Sequence, residues 1–284
     1  MSAPREFHYR LPYRVGGWRP GSHPATSLGA GQEFVSHMSL YDRPDPRRLD
    51  LRASLRNLRG DWLVRVHRQR AGASVHAIVD VSASMGFGSH KTKLQVAADF
   101  VEALGQSAFR VGDTFGMLAF DATERSDLFV PPLASRGMGA VMASMLRQCE
   151  CAAGGFEGLE DAVQRVTGRR GLVFLVSDFH WPLERLGATL DLLAHAYIVP
   201  IVVWDPAEIE PPMQDALAPL RDAESGLRRT LWMRLKLRGQ WRDAVTHRRL
   251  ELDRSFAAHA IRPFYVSGAF DSEAMSQYFL EAAA

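Results

Sequence analysis

Strand-like and helix-like segments alternate from residue 61 to the end of the chain, and few folds are compatible with this order. The predicted strands are "DWLVRVHRQ", "SVHAIVDV", "DTFGMLAFD", "DLFVPP", "GLVFLVSDF", "YIVPIVVWD" and "RPFYVSG". Helical spacing of apolar residues predicts helices over about 91–109 and 239–260, and in "GAVMASMLRQC", "EGLEDAVQRVT", "PLERLGATLDLLAHA" and "SEAMSQYFLEAAA". The alternation favours an α/β fold, with a doubly wound, mostly parallel sheet flanked by helices.

The first part of the chain has a different composition. Up to about residue 60 it is rich in Gly, Pro and Arg and shows no sustained periodicity, which indicates loops with short helical or extended pieces. We therefore expect an irregular, Arg-rich N-terminal extension with short strand elements over 1–72 and an α/β domain over 73–284. Residues 1–72 hold thirteen arginines against six acidic residues, although the net charge of the whole chain is only +2.

Hydropathy and cysteine content predict a cytoplasmic protein that does not insert into membranes. The longest uninterrupted apolar stretch, "YIVPIVVW", is far shorter than the roughly 20 residues of a spanning helix, and the opening residues do not resemble an export signal. The two cysteines, Cys149 and Cys151, are one residue apart, so that no disulfide framework exists.

Oxygen-bearing side chains gather at the ends of two apolar strands. Asp80, Ser82 and Ser84 follow "SVHAIV", and Asp178 follows "GLVFLVS". Ligands of parallel sheets bind beyond the carboxyl ends of the strands, and carboxylates with hydroxyls form the all-oxygen set that Mg²⁺ prefers. The alternative is that the aspartates cap neighbouring helices and the serines make turn hydrogen bonds; the spacing alone leaves both interpretations open.

The pattern Asp80-Val81-Ser82-Ala83-Ser84, followed much later by Asp178, resembles the metal-ion-dependent adhesion site of von Willebrand factor type A domains. The resemblance covers roughly residues 73–284 and implies a von Willebrand factor A-like fold. It also implies a bound Mg²⁺, with Mn²⁺ or Ca²⁺ as alternatives, that is held by the serine hydroxyls and by the aspartates directly or through water. In that family an open position on the ion takes a carboxylate from a partner protein.

The preceding segment, "GAGQEFVSHMSLYDRPDPRRLDLRASLR" with "LVRVHRQR", is similar to an uncharacterised bacterial family commonly encoded beside MoxR-type AAA+ ATPases. A narrower resemblance is to the MxaS-like proteins of methanol-oxidation gene clusters. These resemblances imply a non-enzymatic assembly or maturation adaptor. Its partners would be a MoxR-type ATPase and a client that offers a carboxylate, such as methanol dehydrogenase or another metalloenzyme.

The sequence departs from the A-domain pattern at one position of the site. Family members usually place a threonine after two glycines, and here Phe156 follows Gly154 and Gly155. Because phenylalanine has no oxygen to offer, either Glu157 reaches inward as a metal ligand, or water fills the gap, or the site binds metal weakly and serves as structure. The predicted metal set is therefore Asp80, Ser82, Ser84, Asp178 and Glu157.

Other motifs are weaker. "MGFGSHKT" lacks both glycines of a phosphate-binding loop, so that Lys91 and Lys93 are expected to decorate the helix start, and no catalytic motif favours an enzyme. His180 is expected to be surface or packing histidine. Arginine-rich stretches leave an RNA-binding module open as an alternative, and a metal-free scaffold is another. Acidic residues lie between these arginines, which favours surfaces of salt bridges, and no set of exposed aromatics is evident among them. No nucleic-acid partner is therefore expected.

Overall fold

The computed structural model describes residues 6–16, 19–29, 31–151, 155–168, 170–210, 217–221, 228–232 and 234–282. Its N-terminal part contains an antiparallel sheet of order β1-β3-β2, built from β1 (Pro20–Gly29), β2 (Glu33–Ser39) and β3 (Leu63–Ala71). A short helix, α1 (Leu51–Leu55), connects β2 to β3. The extended pieces expected before residue 60 are β1 and β2, and their pairing with β3 in a regular sheet was not predicted, because local periodicity does not show it.

The central sheet has six strands in the order β11-β8-β7-β4-β5-β6. All neighbours are parallel except β5 and β6, which are antiparallel. The strands are β4 (Ser74–Asp80), β5 (Thr114–Phe120), β6 (Val130–Leu133), β7 (Leu172–Ser177), β8 (Tyr197–Trp204) and β11 (Phe264–Ser267). The chain runs from β4 outward to β5 and β6, then returns to the other side of β4 with β7. The direction of winding therefore reverses between β4 and β7.

Helices cover both faces of this sheet, as the alternation predicts. They are α2 (Lys93–Val111), α3 (Met138–Gln148), α4 (Gly158–Gln164), α5 (Leu186–Leu192), α6 (Pro206–Ile209), α7 (Leu235–Ala257) and α8 (Ser272–Ala282). The hairpin of β9 (Leu217–Arg221) and β10 (Arg228–Trp232) was not predicted. The α/β fold with a mostly parallel sheet is confirmed.

Strand β4 lies at the centre of two hydrophobic cores. Val75, Ala77 and Val79 pack on one face with residues of α2, α3 and α8, whereas Ile78 packs on the other face with residues of α4, α5 and α7. Since alternate residues of a strand point to opposite faces, a strand covered on both sides must be apolar at nearly every position. The sheet is therefore a rigid support for the residues at its carboxyl edge.

The carboxylate of Asp113, in the turn between α2 and β5, joins the N-terminal part to the central sheet. It accepts hydrogen bonds from the Tyr9 hydroxyl at 2.5 Å and the Ala73 amide at 2.7 Å, and it lies 2.9 Å from His23 Nε2. Phe7 and Tyr9 are themselves buried in the core on the α2 face. The N-terminal part is thus packed on the α/β body.

Among the residues that the structure describes, no helix combines the length and the apolar character needed to cross a membrane.

Candidate functional site

Asp80 and Asp178 lie side by side at the carboxyl edge of the sheet, where β4 and β7 end. Both are fully buried. The Asp80 Oδ2 atom accepts a hydrogen bond from the Ser177 hydroxyl at 2.6 Å, and its Oδ1 atom accepts one from the Ser82 amide at 2.9 Å. The pair flanks the point where the winding direction reverses, which is the position at which ligands of open α/β sheets bind.

Ser82 and Ser84 belong to the turn that follows β4, at a short 3₁₀ helix over Ala83–Gly86. Their hydroxyl oxygens are 3.3 Å apart. Adjacent ligands of an octahedral Mg²⁺, bound at about 2.1 Å, lie about 3.0 Å from each other. The two hydroxyls are therefore spaced as neighbouring ligands of a hard cation, and Ser84 is partly exposed to solvent.

Burial, together with the neighbouring Asp178 carboxylate, raises the pKa of Asp80 to about 7, although hydrogen bonds from Ser177 and Ser82 oppose the shift. No ion pair to Asp80 is present in the described part of the chain. A carboxylate in this setting is stabilised by a proton or by a cation. Asp80, Ser82 and Ser84 thus fit a small hard cation.

Asp178 already has a cationic partner. The Lys93 ammonium lies 2.6 Å from its Oδ2 atom, and the His180 amide donates to its Oδ1 atom at 3.1 Å. Burial by itself would raise the pKa of Asp178, but the charge of Lys93 and these hydrogen bonds hold it below its usual value. The two predicted carboxylate ligands therefore have opposite electrostatic settings.

The expected position of Lys93 at the helix surface is wrong. Lys93 is only 1% exposed, whereas Lys91 is exposed and pairs with Asp99 at 2.7 Å. Lys93 is the first residue of α2, and side chains at a helix start tilt back toward the N-terminus, here toward the sheet edge. The signal was present in the sequence, because Lys93 precedes Ala97 by one turn on the buried stripe of α2.

Glu208 is a second residue of the site that sequence reasoning missed. Its Oε1 atom lies 2.7 Å from the Lys93 ammonium, and its Oε2 atom accepts from the Asp205 amide at 3.0 Å. Asp205 and Glu208 form a capping box at the start of α6, which the spacing "DPAE" after a strand could have indicated. The box directs Glu208 toward Lys93.

His180 packs as expected for a structural histidine. Its ring stacks on Trp204 with centroids 5.9 Å apart, and its Nε2 atom is 3.7 Å from Glu208. The Trp204 indole donates to the Asp178 carbonyl at 2.9 Å. These contacts fix the chain beyond β7.

Phe179 adopts a left-handed conformation, with φ of 53°, directly after Asp178. This conformation costs about 1 kcal/mol or more in a non-glycine residue. Its amide donates to the Ser177 hydroxyl at 2.9 Å, and its carbonyl accepts from Arg248 of α7 at 2.7 Å. Helix α7 therefore helps to hold the turn that positions Asp178.

The turn at Phe156 does not add a ligand to this cluster. Phe156 stacks on Trp181 with ring centroids 4.6 Å apart, and Gly154 lies outside the described residues. Glu157 is exposed, and its carboxylate lies against the backbone of Gly155. The structure thus places Asp80, Ser82, Ser84 and Asp178 at one edge of the sheet, whereas the side chain of the fifth predicted metal residue, Glu157, is exposed. Within the described ranges, no three His, Cys, Asp or Glu side chains cluster as a metal site.

Comparison with known proteins shows the family of the chain. The model of the family described as "Protein of unknown function DUF58" matches residues 43–251, well over half of the chain. The chain belongs to this family. The match includes β3, the Asp80 turn, Asp178 and Glu208, and it covers the last part of the N-terminal extension and five of the six strands of the central sheet. The predicted boundary at residue 72 stays a prediction, as do the MoxR and MxaS resemblances.

Individual relatives have modest similarity. The uncharacterized proteins Rv1480 of Mycobacterium tuberculosis and Mb1516 of Mycobacterium bovis are each 27% identical over 256 residues, which cover 87% of this chain and 78% of theirs. Among solved structures, BatB from Bacteroides thetaiotaomicron is 15% identical with a TM-score of 0.46, over 75% of this chain and 99% of its own. The SpRpn10 VWA domain is 10% identical with a TM-score of 0.41, over 73% and 95%.

Proposed function

We propose that this DUF58 protein is a non-enzymatic adaptor that binds partner proteins through the carboxyl edge of its central sheet. The observation that carries the proposal is the buried carboxylate of Asp80, which has no ion pair in the described chain and lies beside two converging serine hydroxyls. A cation there, with one coordination position open to solvent, would bind a partner's carboxylate. The rigid sheet below supports such a recognition site.

The proposed ion is Mg²⁺, with Mn²⁺ or Ca²⁺ as alternatives. Asp80, Ser82 and Ser84 would hold it, and Asp178 would contribute as a neighbouring charge because its Oδ2 atom is hydrogen-bonded to Lys93. Glu157 is the fifth residue of the predicted set. Its exposed position favours a site without it.

The proposed partners follow from the sequence resemblance. They are a MoxR-type AAA+ ATPase and a client with an accessible carboxylate, such as methanol dehydrogenase or another metalloenzyme before maturation. The adaptor would work in the cytoplasm. The partner's acidic residue would complete the coordination of the ion at Asp80.

Calorimetric titration of Mg²⁺ and Mn²⁺ tests the metal part of the proposal. Binding should occur in the wild type and disappear in the variant with Asp80→Ala and Ser82→Ala. Glu157→Ala is the matched control, and its affinity should stay within about twofold of the wild type because the side chain is exposed. A large loss in Glu157→Ala would instead restore the inward-glutamate interpretation.

Partner binding is tested with a MoxR-type ATPase from the same organism. Co-purification should depend on Asp80 and weaken when Mg²⁺ is chelated. If Asp80→Ala leaves partner binding intact, the protein is a metal-free scaffold. That result would refute the role of the sheet edge.

RNA binding is a second candidate, and one observation favours it. No set of exposed aromatics among the arginines is evident from the sequence alone, but Phe34, Tyr41 and Trp62 are at least half exposed in the Arg-rich N-terminal part. Exposed rings beside cationic side chains can stack on nucleotides. Several arginines there are in ion pairs, as expected, with Arg65–Asp50 at 2.7 Å and Arg68–Glu33 at 2.6 Å as examples.

Binding to single-stranded RNA at several salt concentrations separates the two functions. An RNA-binding module would lose affinity steeply with salt and would tolerate Asp80→Ala. Tyr41→Ala with Trp62→Ala would then reduce the affinity. Absence of measurable binding at low salt would remove this candidate.

A further inference from the structure

A lysine ammonium lies inside the candidate cation site, between two carboxylates. The Nζ atom of Lys93 is 2.6 Å from Asp178 Oδ2 and 2.7 Å from Glu208 Oε1. Lysine is almost never fully buried unless it is paired, and here the side chain is nearly inaccessible. Both oxygens belong to groups that could otherwise bind a metal ion.

Lys93 does not stabilise the start of helix α2. A cation in the first turn of a helix is opposed by the helix dipole, and the N-cap of α2 is already supplied by Thr92 with Gln95 in a capping box. The compensation comes from Asp178 and Glu208, which belong to separate elements distant in sequence. The ammonium is therefore a component of the sheet-edge site.

The charges at the site divide into two parts. On the Asp178 and Glu208 side, two carboxylates share the Lys93 ammonium, which offsets one of their two charges. The Asp80 side keeps a single carboxylate and two hydroxyls, and a divalent ion bound there would lie close to a fixed positive charge. Fewer anionic ligands and a neighbouring cation both lower the affinity for a divalent ion.

We infer that Lys93 is a tethered cation that takes Asp178 and Glu208 away from any metal ion and keeps the divalent-cation affinity of this site low. The inference deepens the proposed function and rests on the sheet edge being a cation site. A weak site would bind its ion firmly only when a partner carboxylate completes the coordination. Partner binding and ion binding would then depend on each other.

Removal of the ammonium should turn the site into a stronger metal site. In Lys93→Met, a change that roughly keeps the side-chain length, the carboxylates of Asp178 and Glu208 lose the ammonium and become available to a metal ion. We expect Mn²⁺, measured by calorimetry, to bind at least about tenfold more tightly than in the wild type. The melting temperature of the variant should also rise more on addition of Mn²⁺ than that of the wild type.

Two controls accompany this variant. Lys93→Arg keeps the positive charge and should leave the Mn²⁺ affinity near that of the wild type. The variant with Lys93→Met and Glu208→Gln removes both members of one ion pair, and so leaves fewer unpaired carboxylates at the site than Lys93→Met alone. It replaces Lys93→Met in the titration if that single variant does not fold. It should still bind Mn²⁺ more tightly than the wild type, because the Asp178 carboxylate is released.

Equal or weaker Mn²⁺ binding in both methionine variants overturns the inference. Failure of both to fold, even when they are refolded with Mn²⁺, overturns it too, because a divalent ion then does not replace the ammonium. The proposed function fails separately. If the wild type binds no Mn²⁺ with its partner present but Lys93→Met gains a site, the metal-dependent adaptor is refuted and the role of Lys93 stands.

Discussion

Replacement of Asp80 by asparagine should remove a loss of stability that the wild type undergoes as the pH rises from 5 to 8. The buried Asp80 carboxyl has a pKa of about 7, against an ordinary value of 3.8, because of burial and the adjacent Asp178. The native state therefore binds a proton that the unfolded state releases. This contribution to stability is fully present below about pH 4 and is lost as the pH rises through 7.

The size of this loss of stability follows from the shift in the pKa of Asp80. Each pH unit between the two pKa values lowers the free energy of unfolding by about 1.4 kcal/mol, so that the loss from pH 5 to pH 8 is about 2.5 kcal/mol. Asparagine carries no charge at either pH. The asparagine oxygen can accept from only one of the Ser82 amide and the Ser177 hydroxyl, because the Ser177 oxygen already accepts from the Phe179 amide and the Trp181 indole. The lost hydrogen bond is a cost that does not depend on pH.

Urea unfolding followed by circular dichroism at pH 5, 6, 7 and 8, with a chelator present, measures the difference between Asp80→Asn and the wild type. This difference should move in favour of the variant by about 2.5 kcal/mol from pH 5 to pH 8. Asp205→Asn is the matched control. The pKa of Asp205 is lowered despite its burial, through hydrogen bonds from Ser89 and Ala207. The difference in the free energy of unfolding between Asp205→Asn and the wild type should therefore stay constant from pH 5 to pH 8.

Added Mg²⁺ extends the same experiment. An ion at Asp80 should stabilise the wild type at pH 8 and leave Asp80→Asn almost unchanged. A difference between the two proteins that does not depend on pH would refute the electrostatic argument. It would mean that water or another group already stabilises the Asp80 charge.

Three further substitutions test contacts around the site. Asp113→Ala removes the acceptor shared by Tyr9, His23 and the Ala73 amide. The free energy of unfolding should fall by about 3–5 kcal/mol, and proteases should cleave the N-terminal part more easily. Phe156→Ala loses the stack on Trp181 and should cost about 1–3 kcal/mol in urea unfolding, with Phe156→Leu intermediate. Arg248→Ala removes the donor to the Phe179 and Trp181 carbonyls and should cost about 1.5–3 kcal/mol; no change in stability would mean that α7 does not hold the Asp178 turn.

Local pattern was sufficient to predict the central parallel sheet. "SVHAIVDV" is apolar at nearly every position because β4 is covered on both faces, and this alone favours a central parallel strand. Asp80 and Asp178 follow such strands, and the carboxyl ends of parallel strands share one edge, so that their proximity was also predictable. Helix α2 was expected over about 91–109 and spans Lys93–Val111, where Gly112 ends it in a left-handed conformation.

Tertiary structure decided the electrostatics of the site. Lys93, Asp178 and Glu208 come from α2, the end of β7 and α6, and no local rule predicts that one long side chain will reach two carboxylates so far away in sequence. The sheet formed by β1 and β2 likewise depends on pairing with β3. A sequence determines which residues stand at a strand end through short-range periodicity. The charges that meet there depend on the packing of distant elements, because burial and pairing determine together which of them is neutralised.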